Sequence, residues 1–175
     1  MMRIRQGTAW WVGLLKLRGE LMALTGLVLM GVSLTVRATP PLDEQLTPLA
    51  GGQIEEFKLH DHLADGTHVK FSSDSALDAL FVQIIHPPRS YSGWHEHAGP
   101  VIGVVNTGEL TFYHADDPTC SPTLYMAGQM FIESSGKGHF AINEGSTTTE
   151  VVVLLFAPSG VFPCIDISSP GNCPF

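Results

Sequence analysis

From about residue 53 to residue 157 the chain is a succession of short apolar or alternating runs, each closed by turn-forming residues. The runs are 53–59, 67–72, 79–86, 93–97, 101–105, 109–114, 123–126, 130–133, 139–143 and 150–157. Between them stand Ala64-Asp65-Gly66, Pro87-Pro88, Asn106-Thr107-Gly108, Asp116-Asp117-Pro118, Ala127-Gly128, Ser134-Ser135-Gly136 and Glu144-Gly145-Ser146. Each run is long enough for a strand and too short for a stable helix, and no helical period develops. Many short strands at this spacing predict an all-β sandwich or barrel. With 44% hydrophobic and 15% charged residues, 18 Gly and 12 Pro, the 175-residue composition excludes a disordered chain or a coiled coil.

The net charge of −8 understates the acidity of this part. Five of the nine Lys and Arg residues (Arg3, Arg5, Lys16, Arg18, Arg37) lie in the first 37 residues, against one acid, Glu20. From residue 39 onward, four basic residues face sixteen acidic ones. A surface of that sign repels polyanions, so no nucleic-acid partner is expected.

Residues 1–38 have the order of a signal peptide. Basic residues ending at Lys16 and Arg18 precede an apolar run, Leu21 to Val36, and Val36-Arg37-Ala38 offers a cut after Ala38. The rival reading is a membrane anchor, since Trp10-Trp11 and Leu14-Leu15 would lengthen the apolar segment. A secreted or periplasmic protein is expected, touching a membrane only through an uncleaved leader. Residues 39–52 then read as a linker, 53–157 as the β domain, and 158–175 as a loop-like tail.

Export places Cys120, Cys164 and Cys173 in an oxidising compartment, with one disulfide and one thiol left over. Cys164–Cys173 would close a short loop, and Cys120–Cys173 would pin the tail to a distant hairpin. The Pro-flanked turns around Cys120 and Cys173 favour the second pairing. No His stands beside any of the three in sequence, so none reads as a catalytic nucleophile.

The chemistry is concentrated in the histidines. His95 and His97, two apart in an extended segment, point to one side of a strand. His139 arrives from a separate Gly-rich run, and three neutral imidazoles converging in a β structure suit a transition metal. His60-Asp61-His62 is a second such spacing without a downstream partner and reads as a solvated strand. His68, His86 and His114 read as barrel or rim residues, with His86 the one expected nearest the interior. Trp94, Phe112, Tyr113, Phe131, Phe140 and Phe156 read as core and wall, and Asn143 as a turn-former.

These residues resemble the two motifs of the cupin superfamily, G-x5-H-x-H-x3,4-E-x6-G and G-x5-P-x-G-x2-H-x3-N. The first is matched by His95, His97 and Gly108, the second by Gly128, Gly136, His139 and Asn143. Arg89 stands where the first Gly is expected, Ser134 where the Pro is, and Val101 where the Glu is. The resemblance is to small secreted single-domain cupins and implies a double-stranded β-helix, or jelly-roll, barrel. It implies a divalent metal on His95, His97 and His139, with Fe²⁺ the first expectation and Mn²⁺, Cu²⁺, Zn²⁺ or Ni²⁺ compatible. With Val101 in the place of the carboxylate, the site reads as a three-His variant similar to those of thiol and diketone dioxygenases. The two functions implied are a metal-dependent oxygenase acting on a small chelating substrate and a non-catalytic metal- or small-molecule-binding cupin of the cell envelope. Glu133 and Glu109 are general-base candidates by proximity alone, and a homodimer is a further expectation from the family.

Overall fold

A computed structural model describes residues 39–175, and the leader read from residues 1–38 lies outside the described residues. Twelve strands follow one another: β1 (Gln45–Ile54), β2 (Phe57–His62), β3 (His68–Ser73), β4 (Leu77–His86), β5 (His95–His97), β6 (Val101–Thr107), β7 (Glu109–His114), β8 (Thr123–Met126), β9 (Met130–Glu133), β10 (His139–Ile142), β11 (Thr149–Pro158) and β12 (Cys164–Asp166).

The pairing explains the architecture. Strands β4 to β11 match one another like a single long hairpin: β7 with β8, β6 with β9, β5 with β10 and β4 with β11, all antiparallel. Two further ladders, β11 with β6 and β10 with β7, join successive turns of that ribbon. The result is two five-stranded sheets, ordered β1-β4-β11-β6-β9 and β12-β5-β10-β7-β8. This is a double-stranded β-helix, the expected barrel, and no helix occurs among the described residues.

The interior follows from period-two alternation. Along β11, Val151, Val153 and Leu155 are buried and meet Val82 and Val105 of their own sheet. Leu110, Phe112 and Ala141 oppose them from the second sheet. The residues between these, Tyr113 and Phe140, face outward and form a second cluster with Trp94 and Cys173. That outer face would be wet without the C-terminal tail. Phe175 stacks at 4.6 Å on Phe140, and a Cys120–Cys173 disulfide holds the tail there, the pairing favoured from sequence.

The strand boundaries differ from expectation in three places. Most of the expected linker, residues 39–52, is strand: β1 pairs with β4 from Gln45 to Ile54. Its Pro and Gly residues conceal it in sequence, but an edge strand satisfies a ladder on one side only. Its register slips between Pro48 and Ala50, a bulge that accommodates the missing Pro N–H. The expected strand 53–59 is divided between the end of β1 and the start of β2, with Glu55-Glu56 outside both. The tail is also more than loop, since β12 adds to the edge of β5.

The motif glycine position held by Arg89 keeps glycine geometry. Ser90 N–H donates to the Pro87 carbonyl at 3.0 Å, closing a turn with Pro88 and Arg89 at its centre. Arg89 has φ 68°, so the backbone adopts the conformation of a type II turn although the residue there carries a Cβ.

Candidate metal centre

The three predicted histidines meet. His139 of β10 is the direct cross-strand partner of His95 on β5, and His97 lies one pleat further along β5 on the same face. The ring centroids lie 4.2 Å apart for His95–His139, 4.9 Å for His95–His97 and 5.1 Å for His97–His139. One ligand nitrogen from each lies within 4.8 Å of the other two.

Each ring is oriented by the main chain. His95 Nδ1 bonds the Gly93 carbonyl at 3.1 Å, His97 Nδ1 the Pro163 carbonyl at 3.3 Å, and His139 Nδ1 the Lys137 carbonyl at 3.1 Å. A carbonyl only accepts, so every Nδ1 carries the proton and donates it. All three Nε2 atoms are thereby left to face the common centre, the arrangement that fixes tautomer and direction in metal-ligating histidines. The donor set therefore fits a transition metal.

Glu133 enters the same centre from β9. Its Oε2 lies 3.1 Å from His97 Nε2 and its Oε1 lies 3.0 Å from His139 Nε2. The carboxylate is buried and spans two of the three inward-facing nitrogens. Burial pushes His95 down to about 3, helped by the charges of His139 and His97. Burial also lowers His139. On His97 burial acts the same way but is outweighed by hydrogen bonds with Cys164 and Glu133, which hold it up at about 10. Burial would raise Glu133, yet the His97 hydrogen bond and the surrounding imidazoles keep its carboxyl below the usual range. The metal-free centre is thus an imidazolium–carboxylate pair beside two neutral imidazoles, and an entering cation takes the place of a proton.

The centre opens on a largely apolar cavity of about 410 Å³ between the sheets. Val82, Val101, Phe112 and Phe131 line its wall. The Phe131 ring lies across Gly103, its cross-strand partner, where a Cβ would fall 2.1 Å from the ring. Glu44 and His86 supply a second polar element of the cavity, with His86 Nε2 3.9 Å from Glu44 Oε2. Burial raises Glu44 to about 7 and lowers His86 to about 4, so both are neutral in mildly acidic solution. Sequence reasoning missed Glu44 because it lies in the segment taken for a linker. It also missed that Cys164, through β12, is the register partner of His97, with Sγ 3.5 Å from His97 Nδ1. The thiol does have a histidine beside it, contrary to the reading from sequence distance.

Other expectations resolve simply. His86 is buried and reaches the cavity. His60, His62 and His68 are exposed on the β2–β3 hairpin, away from the centre. Glu109 does not line the cavity. Asn143 is fully buried and builds a turn: its amide donates to the His86 carbonyl at 2.7 Å and the Thr147 carbonyl at 2.8 Å, while its Oδ1 accepts from Gly145 N–H at 2.9 Å.

No protein-family model and no curated protein matches the chain. Among solved structures it is similar to oxalate oxidase in complex with the substrate analogue glycolate, at 22% identity and a TM-score of 0.44 over 51% of this chain and 46% of that one. It is similar to a cupin-like protein from Thermotoga maritima at 15% identity and a TM-score of 0.43, over 52% of this chain and 65% of that one. A Klebsiella pneumoniae protein with a double-stranded β-helix domain aligns at 18% identity and a TM-score of 0.45, over 65% of this chain and 85% of its own. The chain thus spans under half the length of the oxalate oxidase it resembles.

Proposed function

We propose that this protein is a metal-binding cupin whose His95, His97 and His139 hold one divalent transition ion facing a cavity that admits a small chelating molecule. The observation that carries this reading is the anchoring of all three Nδ1 atoms on main-chain carbonyls, which turns three Nε2 atoms on one point. Such ordering of three rings, two of them buried, costs desolvation that apolar side chains filling the same wall would not.

The finer reading is a metal-dependent dioxygenase with Fe²⁺ as its first metal. Bound there, the ion would supply Lewis-acid and redox chemistry to a chelated substrate. The protein's own part is to exclude water with Val82, Val101 and Phe112, and to hold an exchangeable proton at Glu44. A carboxyl titrating at about 7 is suited to general acid–base work near neutrality, and this supports catalysis over passive binding. The Cys120–Cys173 disulfide fits an oxidising compartment and supports export.

Pairing with a second copy is supported by the outer face of the first sheet. There Ile132, Ile102, Leu154 and Phe81 stand side by side on neighbouring strands, Ile132 being 76% exposed. Light scattering of wild type and Ile132→Lys should show a dimer weakened to monomer.

Purified protein analysed for metal should carry or take up one equivalent, and His139→Ala should lose it. Oxygen consumption by the loaded protein with thiols, diketones and flavonols tests the finer reading. Full metal occupancy without turnover on any of them would favour the non-catalytic binder.

A further inference from the structure

We propose that Glu133 is a fourth protein ligand of this centre, a carboxylate transposed from β6 to the strand beside it. The inference rests on the metal-binding reading above and goes beyond its three histidines. The cupin pattern places its Glu where this chain has Val101, and the sequence therefore implied three neutral ligands and an ion retaining its full charge. In the fold, Val101 of β6 and Glu133 of β9 are direct cross-strand partners. Opposite residues of an antiparallel pair share a face, with Cβ atoms about 5 Å apart. Both line the cavity. Glu133 delivers a carboxylate to the same face one strand away, and its longer reach is used: its two oxygens touch Nε2 of His97 at 3.1 Å and of His139 at 3.0 Å.

Burial argues the same way. The Glu133 side chain is 9% exposed, and its ion-pair partners among the described residues are His97 and His139. A buried carboxylate without a cation is strongly unfavourable. In the metal-free centre a proton on His97 Nε2 supplies the positive charge, while His139 Nε2 and Glu133 Oε1 still aim lone pairs at one another at 3.0 Å. A divalent ion fills that place with four donors. Three imidazoles and one carboxylate leave such an ion a net charge of +1, and the hard oxygen donor improves retention of Mn²⁺ or Fe²⁺ relative to an all-imidazole site. Such an ion would keep open positions for a small chelating molecule from the cavity.

Isothermal titration of the metal-stripped protein with Mn²⁺ and separately with Zn²⁺ tests this, using wild type, Glu133→Gln, His139→Ala and the exchange variant Val101→Glu/Glu133→Val. Wild type should bind one Mn²⁺. Glu133→Gln should lose about a hundredfold or more in Mn²⁺ affinity and distinctly less in Zn²⁺ affinity, because imidazole suits Zn²⁺ better. The exchange variant should regain at least tenfold of the Mn²⁺ loss, and circular dichroism with thermal melting confirms that each variant folds. Wild-type Mn²⁺ affinity in folded Glu133→Gln would overturn the proposal while leaving the three-His centre standing. Equal losses for both metals would assign Glu133 to shaping the site and also overturn it. No uptake of either metal by wild type would remove the metal-binding reading itself, and this proposal with it.

Discussion

Glu133 lies directly across the β6–β9 ladder from Val101, and its carboxylate reaches His97 and His139. A position that looks vacated along one strand is supplied from the next. Read along the chain, Val101 leaves a three-His site. Read across the barrel, the three imidazoles of one sheet meet a carboxylate from the other.

Asn143 tests whether the motif's last residue is structural. Asn143→Ala strands the buried His86 carbonyl, the Thr147 carbonyl and the Gly145 N–H, so it should lower stability by about 2–4 kcal/mol. Asn143→Asp should also destabilise, since a carboxylate cannot donate to the His86 and Thr147 carbonyls. Metal stoichiometry of whichever variant folds should equal that of wild type. A loss of metal without a loss of stability in urea unfolding would give Asn143 a ligand role instead.

Arg89→Gly should stabilise the protein. A side chain at φ 68° carries left-handed strain that glycine avoids, less the entropy glycine adds to the unfolded chain. The expected net gain is about 0.5–1 kcal/mol by chemical denaturation. A destabilised variant would mean that the Arg89 side chain makes a contribution larger than its strain.

Glu44 has a calculable signature. Its pKa in the folded chain is about 7 against 4.5 for an unperturbed Glu, so the folded state binds its proton more tightly. The stability it contributes is fully present below about pH 4.5 and is lost as pH rises through about 7. The difference in unfolding free energy between wild type and Glu44→Gln should fall by about 3 kcal/mol over that window. His86, lowered to about 4, works in the opposite sense between pH 4 and 6.5, so the wild-type profile alone would hide the effect. A pH-independent difference would show that Glu44 is solvated.

Reduction of Cys120–Cys173 should destabilise the chain by up to about 4 kcal/mol, because the bond closes a separation of 53 residues. It should also free Phe175 from Trp94 and Phe140. Thermal melting with and without reductant measures the first effect, and Trp fluorescence should register the second, since Trp94 is fully buried beneath the tail. An unchanged Trp94 signal in the reduced, folded protein would show that the tail docks without its tether.

The sequence carries the barrel and the three histidines because both are written locally. Alternation and turn residues mark each strand from β4 to β11, and the spacing of His95 and His97 sets a shared face without further information. What escaped was whatever depends on pairing. Glu133 and Val101 are 32 positions apart, and their adjacency exists only in the register of β6 against β9. Cys164 meets His97 through a three-residue strand too short to carry a pattern. Glu44 lay just before a strand whose Pro and Gly residues read as a linker, although an edge strand tolerates both.

One ion among His95, His97 and His139, with Glu133 beside them, would be visible by diffraction. Crystals of the protein soaked with Zn²⁺ and measured at the zinc absorption edge test it most directly. One strong anomalous peak is expected about 2.0–2.1 Å from each of the three Nε2 atoms, with a Glu133 oxygen about 2.0–2.2 Å away. A peak elsewhere on the surface, or none at this cluster in crystals that hold zinc, would contradict it.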